Sequence, residues 1–136
     1  MIEGVNHITL SVSDLEESFF FYQEILGFKP LAKRKGKSAY FLCGSDWIVL
    51  VQTAGHKVEE RSYSHLALTV IKENFDPVTK RILDSGANVW QQNSSPGESL
   101  YFLDPSGNRL EIHAGSWQSR LQWLQENPSD EVTLYT

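Results

Sequence analysis

A chain of 136 residues is long enough for one domain with a substantial core and too short for two independent domains. Its formal net charge of −5 argues against nucleic acid or an anionic membrane surface as the main partner. No apolar run approaches the roughly 18 residues of a membrane span, and residues 1–4 lack the features of a signal peptide. The single cysteine, Cys43, excludes an internal disulfide. We therefore expect a soluble cytoplasmic domain.

The first half of the chain predicts a strand, a helix and three further strands. Residues 6–12 alternate as in a half-buried strand. One face of that strand carries His7, Thr9 and Ser11. Ser13 or Asp14 caps the following helix, and Gly27 ends it. The remaining strands of this half are predicted at 31–35, 38–43 and 47–52.

The second half follows the same plan after a polar, aperiodic linker over residues 53–62. A strand places His65, Ala67 and Thr69 on one face. Asp76-Pro77 predicts a helix start, because Asp caps free amides and Pro fits the first turn; Gly86 ends this helix. Further strands are predicted at 89–91, 100–103 and 108–113, and Ser116 caps a last helix.

The two halves are therefore copies of one βαβββ unit. Residues 5–12 and 63–70 echo each other, each with a histidine near the start of the strand, and Tyr-Phe-Leu recurs at 40–42 and 101–103. We predict an α+β fold in which residues 1–136 form a single domain. Its parts are an N-terminal module over about 4–53, a C-terminal module over about 62–114 and a C-terminal helix over about 116–126.

The duplication brings candidate metal ligands together. His7 and His65 occupy the same position in the two copies, and Glu111 stands mid-strand in an apolar segment, where a carboxylate needs a partner. Two histidines and one carboxylate make a three-ligand site for a divalent metal, with positions left open for substrate. The alternative is that both histidines hydrogen-bond in the core and Glu111 pairs with an arginine. His113 shares the face of Glu111 and is expected to support the site rather than close it as a fourth ligand.

The repeat itself favours the metal interpretation. Aligning 40–42 with 101–103 sets Leu50 opposite Glu111. A symmetric duplicate would supply four ligands, whereas this chain keeps three and has an apolar side chain in place of the fourth. The metal is then left incompletely coordinated by protein, as catalysis requires.

These residues match a known family over residues 2 to about 128. The chain resembles the vicinal oxygen chelate superfamily and, within it, the FosA-type fosfomycin resistance thiol transferases. The matching segments are 5–10, Phe21-Tyr22, Leu26-Gly27-Phe28, Ala39-Tyr40, Trp47, Tyr63-Ser64-His65, 90–93, 99–105, 109–113 and Gly115 through Arg120-Leu121.

The resemblance implies a specific site. Members bind Mn²⁺ through residues matching His7, His65 and Glu111, and the two histidines come from different subunits of a domain-swapped homodimer built around half-barrel sites. The residues expected around the phosphonate and epoxide of fosfomycin are Thr9 as the catalytic hydroxyl, with Tyr40, Trp47, Gln91, Ser95, Ser99, Tyr101 and Arg120 as substrate-binding residues. The implied reaction adds a thiol, glutathione in the most similar members, to the epoxide carbon and opens the ring.

Three positions depart from the family pattern. Members usually carry Lys at Gln91, a basic residue at Ser94 and Glu at Pro96, the last within a loop that binds K⁺. Gln91 in place of Lys removes a positive charge next to the dianionic phosphonate. Pro96 in place of Glu removes a carboxylate from the loop that binds K⁺ in those members.

Two other functions share this fold. One is another chemistry of the superfamily on a small anionic substrate, such as epoxide hydration, lyase or dioxygenase activity. Hydration in relatives uses a glutamate before Trp47, and residues 38–47 contain none. The other is a drug-sequestering binding protein, as in bleomycin-resistance relatives. Those relatives typically lack metal ligands, whereas His7, His65 and Glu111 are all present here.

Overall fold

The first βαβββ module forms one four-stranded sheet. A computed structural model describes residues 1–58 and 61–135. The elements of the first module are β1 (His7–Val12), α1 (Leu15–Phe20, continued by a π-helical turn over Phe21–Ile25), β2 (Lys29–Arg34), β3 (Ser38–Cys43) and β4 (Asp46–Gln52). The strand order is β1-β4-β3-β2, with β1 and β4 parallel and the other pairs antiparallel.

The second module repeats this sheet. Its elements are β5 (Leu66–Thr69), α2 (Lys72–Asp84), β6 (Val89–Gln91), β7 (Glu98–Leu103) and β8 (Arg109–Ala114), followed by α3 (Trp117–Glu126). The strand order β5-β8-β7-β6 has the same pattern, again with one parallel pair, β5 and β8. The predicted α+β fold of two βαβββ units is therefore confirmed.

Local sequence accounts for the ends of α1 and α3. The Asp14 carboxylate accepts a hydrogen bond from the Glu17 amide at 3.1 Å, which satisfies one of the free N–H groups of the first turn. Gly27 follows with φ of 77°, a conformation that favours glycine. At α3, Ser116 and Ser119 cap each other's backbone N–H groups as a capping box.

The predicted start of α2 is wrong. The helix begins at Lys72, one turn before Asp76-Pro77, and Pro77 lies inside it. The reason is packing: Phe75 lies one turn from Val78, which in turn lies one turn from Ile82, and all three contact the core. Burial of Phe75 extends the helix backwards through a proline that on its own favours a helix start.

Both modules contribute to one hydrophobic core. Tyr22, Phe28 and Phe41 form an aromatic cluster with ring centroids 5.4 to 6.3 Å apart. Phe21 links this cluster to Phe102 of the second module, with 6.4 Å between the ring centroids. Each such buried side chain contributes roughly 1.5–3 kcal/mol. The core fixes the two sheets relative to each other.

A buried polar network joins the modules as well. The Tyr22 hydroxyl donates to Asp104 at 2.7 Å, and Asn108 donates from its side chain to Asp104 and to the Ser11 carbonyl. Asp104 is 4% exposed and also accepts from the Ser106 and Asn108 amides. All of its hydrogen-bonding capacity is thus used, as a buried carboxylate requires. Among the helices of residues 1–58 and 61–135, none has the length and apolar character needed to cross a bilayer.

Candidate metal centre and active site

His65 and Glu111 face each other on the second sheet. Glu111 lies in β8, an interior strand, where it stands beside Ala67 of β5 and is only 7% exposed. His65 directly precedes β5, and its Nε2 lies 3.0 Å from Glu111 Oε1. Its other ring nitrogen, Nδ1, lies 2.8 Å from the carbonyl oxygen of Tyr63.

This geometry places two acceptors together. The Tyr63 carbonyl can only accept, so Nδ1 of His65 carries the hydrogen. In the neutral imidazole, Nε2 then presents a lone pair to the carboxylate of Glu111, and the two repel unless a cation lies between them. A proton or a divalent metal ion meets that need, and imidazole nitrogen with carboxylate oxygen is a common ligand set for such metals. The pair fits a divalent metal ion.

Ser99 and His113 support Glu111 from behind. The Ser99 hydroxyl donates to Glu111 Oε2 at 2.8 Å, so its oxygen accepts from Nδ1 of His113, 2.7 Å away. The imidazole of His113 is enclosed by Gly97 and Gly115: a Cβ at Gly97 would lie 3.0 Å from Cε1, and one at Gly115 would overlap Nε2. His113 therefore reaches Glu111 through Ser99, and the hydrogen of Ser99 is used within the protein.

His7 lies on the first sheet, apart from this pair. It is exposed, its Nδ1 is 2.8 Å from Asn6 Oδ1, and its ring packs on Trp47 at 4.5 Å. Tyr40 packs against the other side of Trp47 at 5.4 Å, and Thr9 lies on the same sheet face. Within residues 1–58 and 61–135 of one chain, no three His, Cys, Asp or Glu side chains are close enough to hold one ion. One chain thus carries two separate parts of the expected site.

The symmetry partner of Glu111 is Val49, not Leu50. Tyr40 is paired with Val49 across β3 and β4, as Tyr101 is paired with Glu111 across β7 and β8. The chain from Tyr101 to Glu111 is one residue longer than the chain from Tyr40 to Val49, which shifts the alignment by one position. Leu50 instead faces the core with no exposure. The position equivalent to Glu111 is thus occupied by an apolar residue, Val49.

The loop over 93–97 is closed by its own hydrogen bonds. Asn93 Oδ1 accepts from the amide and the hydroxyl of Ser95, and Asn93 Nδ2 donates to the Gly97 carbonyl at 2.8 Å. Arg120 donates from α3 to the Pro96 carbonyl at 3.3 Å. The K⁺ ion that the resemblance implies for this loop would find no carboxylate in residues 93–97 and two carbonyls already engaged. The loop does not fit a K⁺ site, whereas it does anchor Arg120.

Aromatic rings surround His65. Tyr63, Trp90 and Tyr101 pack around its imidazole, with ring centroids 5.0, 5.4 and 5.9 Å away. Gln91 donates from its side chain to the Tyr63 hydroxyl at 2.9 Å. Tyr63 and Trp90 were predicted from sequence only as parts of segments that match the family, without a role of their own. The available signal was spacing, because Tyr63 lies two residues before His65, and two residues apart in an extended segment point to the same side.

Fold and site together define the class of protein. The sequence profile of the Glyoxalase/Bleomycin resistance protein/Dioxygenase superfamily matches residues 4–112. The chain belongs to this superfamily.

The similarity to individual relatives is more specific. The glutathione transferase FosA of Serratia marcescens is 41% identical over 131 residues, covering 94% of this chain and 92% of the relative. A metallothiol transferase FosB of Shouchella clausii is 32% identical, covering 96% and 92%. Among solved structures, an E126Q mutant of the fosfomycin resistance protein FosX of Listeria monocytogenes, complexed with Mn(II) and 1S,2S-dihydroxypropylphosphonic acid, aligns with a TM-score of 0.81 at 32% identity. That alignment covers 90% of this chain and 98% of that one.

Proposed function

We propose that this chain is a metal-dependent thiol transferase that opens the epoxide of fosfomycin with glutathione and thereby confers resistance to the drug. The observation that carries the proposal is the contact between His65 Nε2 and Glu111 Oε1 at 3.0 Å, two acceptors that call for a cation. It occurs in a chain 41% identical to a glutathione transferase. The single free thiol, Cys43, suits the reducing cytoplasm in which such a cosubstrate is available.

The metal is Mn²⁺ or a similar divalent ion, held by His65 and Glu111 of one chain and His7 of a second copy. The presence of Mn(II) in the FosX complex supports this choice of ion. The homodimer is supported by apolar surface next to His7: Tyr40 and Val51, on the same sheet face, are 40% and 36% exposed. Residues 1–136 act as one domain in this arrangement.

The protein groups have complementary tasks in the reaction. A divalent ion bound at this site supplies Lewis-acid stabilisation of negative charge on phosphonate and epoxide oxygens. Thr9 is exposed beside His7, and its hydroxyl donates a hydrogen bond to the epoxide oxygen as the thiol sulfur bonds to carbon and the carbon–oxygen bond breaks. The proton lost by the thiol ends on that oxygen, which becomes the hydroxyl of the product. The Tyr101 hydroxyl and the remaining N–H groups of Arg120 donate to phosphonate oxygens. Ser99 and Ser95 do not bind the phosphonate in this proposal. Ser99 holds Glu111, and Ser95 holds the loop over 93–97.

Hydration of the epoxide is the second candidate, because the FosX structures are among the most similar folds. It differs from thiol transfer only in the nucleophile, which is water. The strand region 38–47, where hydrating relatives carry a glutamate base, contains no Glu in this chain. Thiol transfer is therefore favoured.

Product analysis by ³¹P NMR separates these functions. The purified protein is incubated with Mn²⁺ and fosfomycin together with glutathione, with cysteine or without thiol. We expect a new phosphonate resonance that depends on protein, metal and glutathione. A product formed equally well without thiol would establish hydration, and unchanged fosfomycin in every sample that contains metal would contradict both reactions.

A further inference from the structure

The hydroxyl of Tyr63 is a hydrogen-bond donor without an acceptor. Its oxygen accepts from Gln91 Nε2 at 2.9 Å. A phenol that accepts through its oxygen keeps its own hydrogen for a separate bond. Among the residues that the structure describes, none accepts that hydrogen, and the Tyr63 side chain remains largely open to solvent, with 59% of the residue exposed.

Tyr63 belongs to the same face as the histidine–carboxylate pair. Gln91 is paired with Tyr101 across β6 and β7, and Tyr101 with Glu111 across β7 and β8, so the three form one row of side chains across the sheet. The Tyr63 ring stands edge-on to His65, with 5.0 Å between ring centroids. Its backbone carbonyl is the group that orients the His65 imidazole. The Tyr63 side chain thus lies next to His65, one of the proposed metal ligands.

Gln91 determines where that hydrogen points. A phenol rotates freely about its C–O bond, but a donor fixed on one side of the oxygen leaves the opposite side for the hydroxyl hydrogen. Gln91 is held by its strand pairing with Tyr101, and Tyr63 is held by its contacts with His65 and Trp90. The two side chains therefore act as one unit that carries no net charge.

We propose that Tyr63 is a substrate-binding residue whose hydroxyl donates to an anionic oxygen of the ligand at the His65–Glu111 site, and that Gln91 is a positioning residue acting through Tyr63. The proposal depends on the proposed function only for the identity of the ligand, a phosphonate. Because the donor is neutral, its contribution to binding does not change with ionic strength, in contrast to that of a lysine or arginine.

Binding in the absence of thiol tests this directly. Titration calorimetry on Mn²⁺-loaded protein measures the affinity for fosfomycin and, separately, for inorganic phosphate, at low and at high salt. We expect Tyr63→Phe to weaken binding of both anions about tenfold, by the same factor at both salt concentrations. Gln91→Ala weakens binding by less, and the double variant is no weaker than Tyr63→Phe alone. Tyr135→Phe, a substitution at an exposed tyrosine outside the helices and strands, serves as the matched control.

The affinity for Mn²⁺, measured by electron paramagnetic resonance, shows whether a variant has lost only the contact with the anion or has a damaged metal site. Wild-type anion affinity in Tyr63→Phe overturns the proposal, and so does a loss of anion binding that merely follows a loss of Mn²⁺ affinity. Additive effects of the two substitutions overturn the positioning role of Gln91. Failure of wild type to bind fosfomycin while it binds phosphate counts against the proposed function alone, and the phosphate titration then decides on Tyr63. If wild type binds neither anion, both proposals fail.

Discussion

At the scale of single residues, Glu111 is supported by a chain of hydrogen bonds that ends between two glycines. Ser99 fixes one carboxylate oxygen and leaves the other facing His65. We expect Glu111→Gln to abolish tight Mn²⁺ binding, because it removes a charged ligand. Ser99→Ala should lower Mn²⁺ affinity by about 10–100-fold, the usual effect of losing a group that orients a ligand. Titration followed by electron paramagnetic resonance measures both affinities.

The control for this prediction is Glu3→Gln, which removes one carboxylate at an exposed position. It should bind Mn²⁺ like wild type. Wild-type affinity in Glu111→Gln would show that the metal ligands lie elsewhere.

A substitution at Gln91 tests whether fosfomycin is the substrate. Its amide offers hydrogen bonds but no charge to a ligand near −2. If fosfomycin is the substrate, Gln91→Lys should lower KM or raise kcat/KM, by more at low salt than at high salt, since an added surface charge is screened. Lysine can still donate to the Tyr63 hydroxyl. Unchanged or poorer turnover, together with a barely active wild type, would indicate a different anionic substrate.

At the scale of elements, α2 contains an internal proline, Pro77, and packing of the helix on the core compensates for it. Pro77 lacks the N–H that would bond to the Glu73 carbonyl one turn earlier. We expect Pro77→Ala to stabilise the protein by roughly 1–3 kcal/mol, the gain of a helix bond less the added entropy of the unfolded chain. Urea unfolding measures the change, with the exposed Lys72→Ala in the same helix as the control. A loss of stability would show that the Pro77 ring makes contacts that alanine cannot replace.

Strand faces were predictable from sequence because a period of two residues is unambiguous. His7 with Thr9, and Glu111 with His113, lie on the faces that alternation assigns. The lengths of the connections were not predictable in the same way: one extra residue between Tyr101 and Glu111, compared with Tyr40 and Val49, moved the partner of Glu111 from Leu50 to Val49. Contacts between distant segments, such as Gln91 with Tyr63, depend on how the strands pair and leave no periodic signal.

At the scale of the whole molecule, the Tyr22–Asp104 bond ties the modules together. Burial, and after it the charge of Asp104 and their hydrogen bond, raise the pKa of Tyr22 well above its ordinary value of 10.0. A raised pKa in the folded state means that the phenol stabilises the fold fully below pH 10. This contribution is lost as the pH rises further, because only the unfolded chain then ionises readily.

Tyr22→Phe should therefore destabilise the protein by about 1.5–3 kcal/mol at pH 7, since it leaves Asp104 short of a donor. The difference in the free energy of unfolding between this variant and wild type should become smaller above pH 10. Urea unfolding at neutral and alkaline pH gives both values, and Tyr135→Phe should match wild type throughout. A difference that is constant with pH would contradict the assigned role of the phenol.

Assembly of the site from two chains predicts complementation. His7→Ala and Glu111→Ala should each be inactive. A mixed dimer contains one site with both substitutions and one site with neither. Equal mixing, with exchange of subunits, should therefore restore about one quarter of wild-type activity, because half of the dimers are mixed and each has one intact site. No recovery despite exchange, or full activity in a monomer by light scattering, would refute a shared site.

The separation of His7 from His65 and Glu111 also has a consequence for a cell that produces this protein. If only a pair of chains completes the site, the amount of active enzyme at low expression rises with the square of the chain concentration. Small differences in gene dosage then produce large differences in drug tolerance. A defective allele would act as a dominant negative only if its product still pairs and has lost both His7 and Glu111, since a product that lacks one of them leaves one intact site in each mixed dimer.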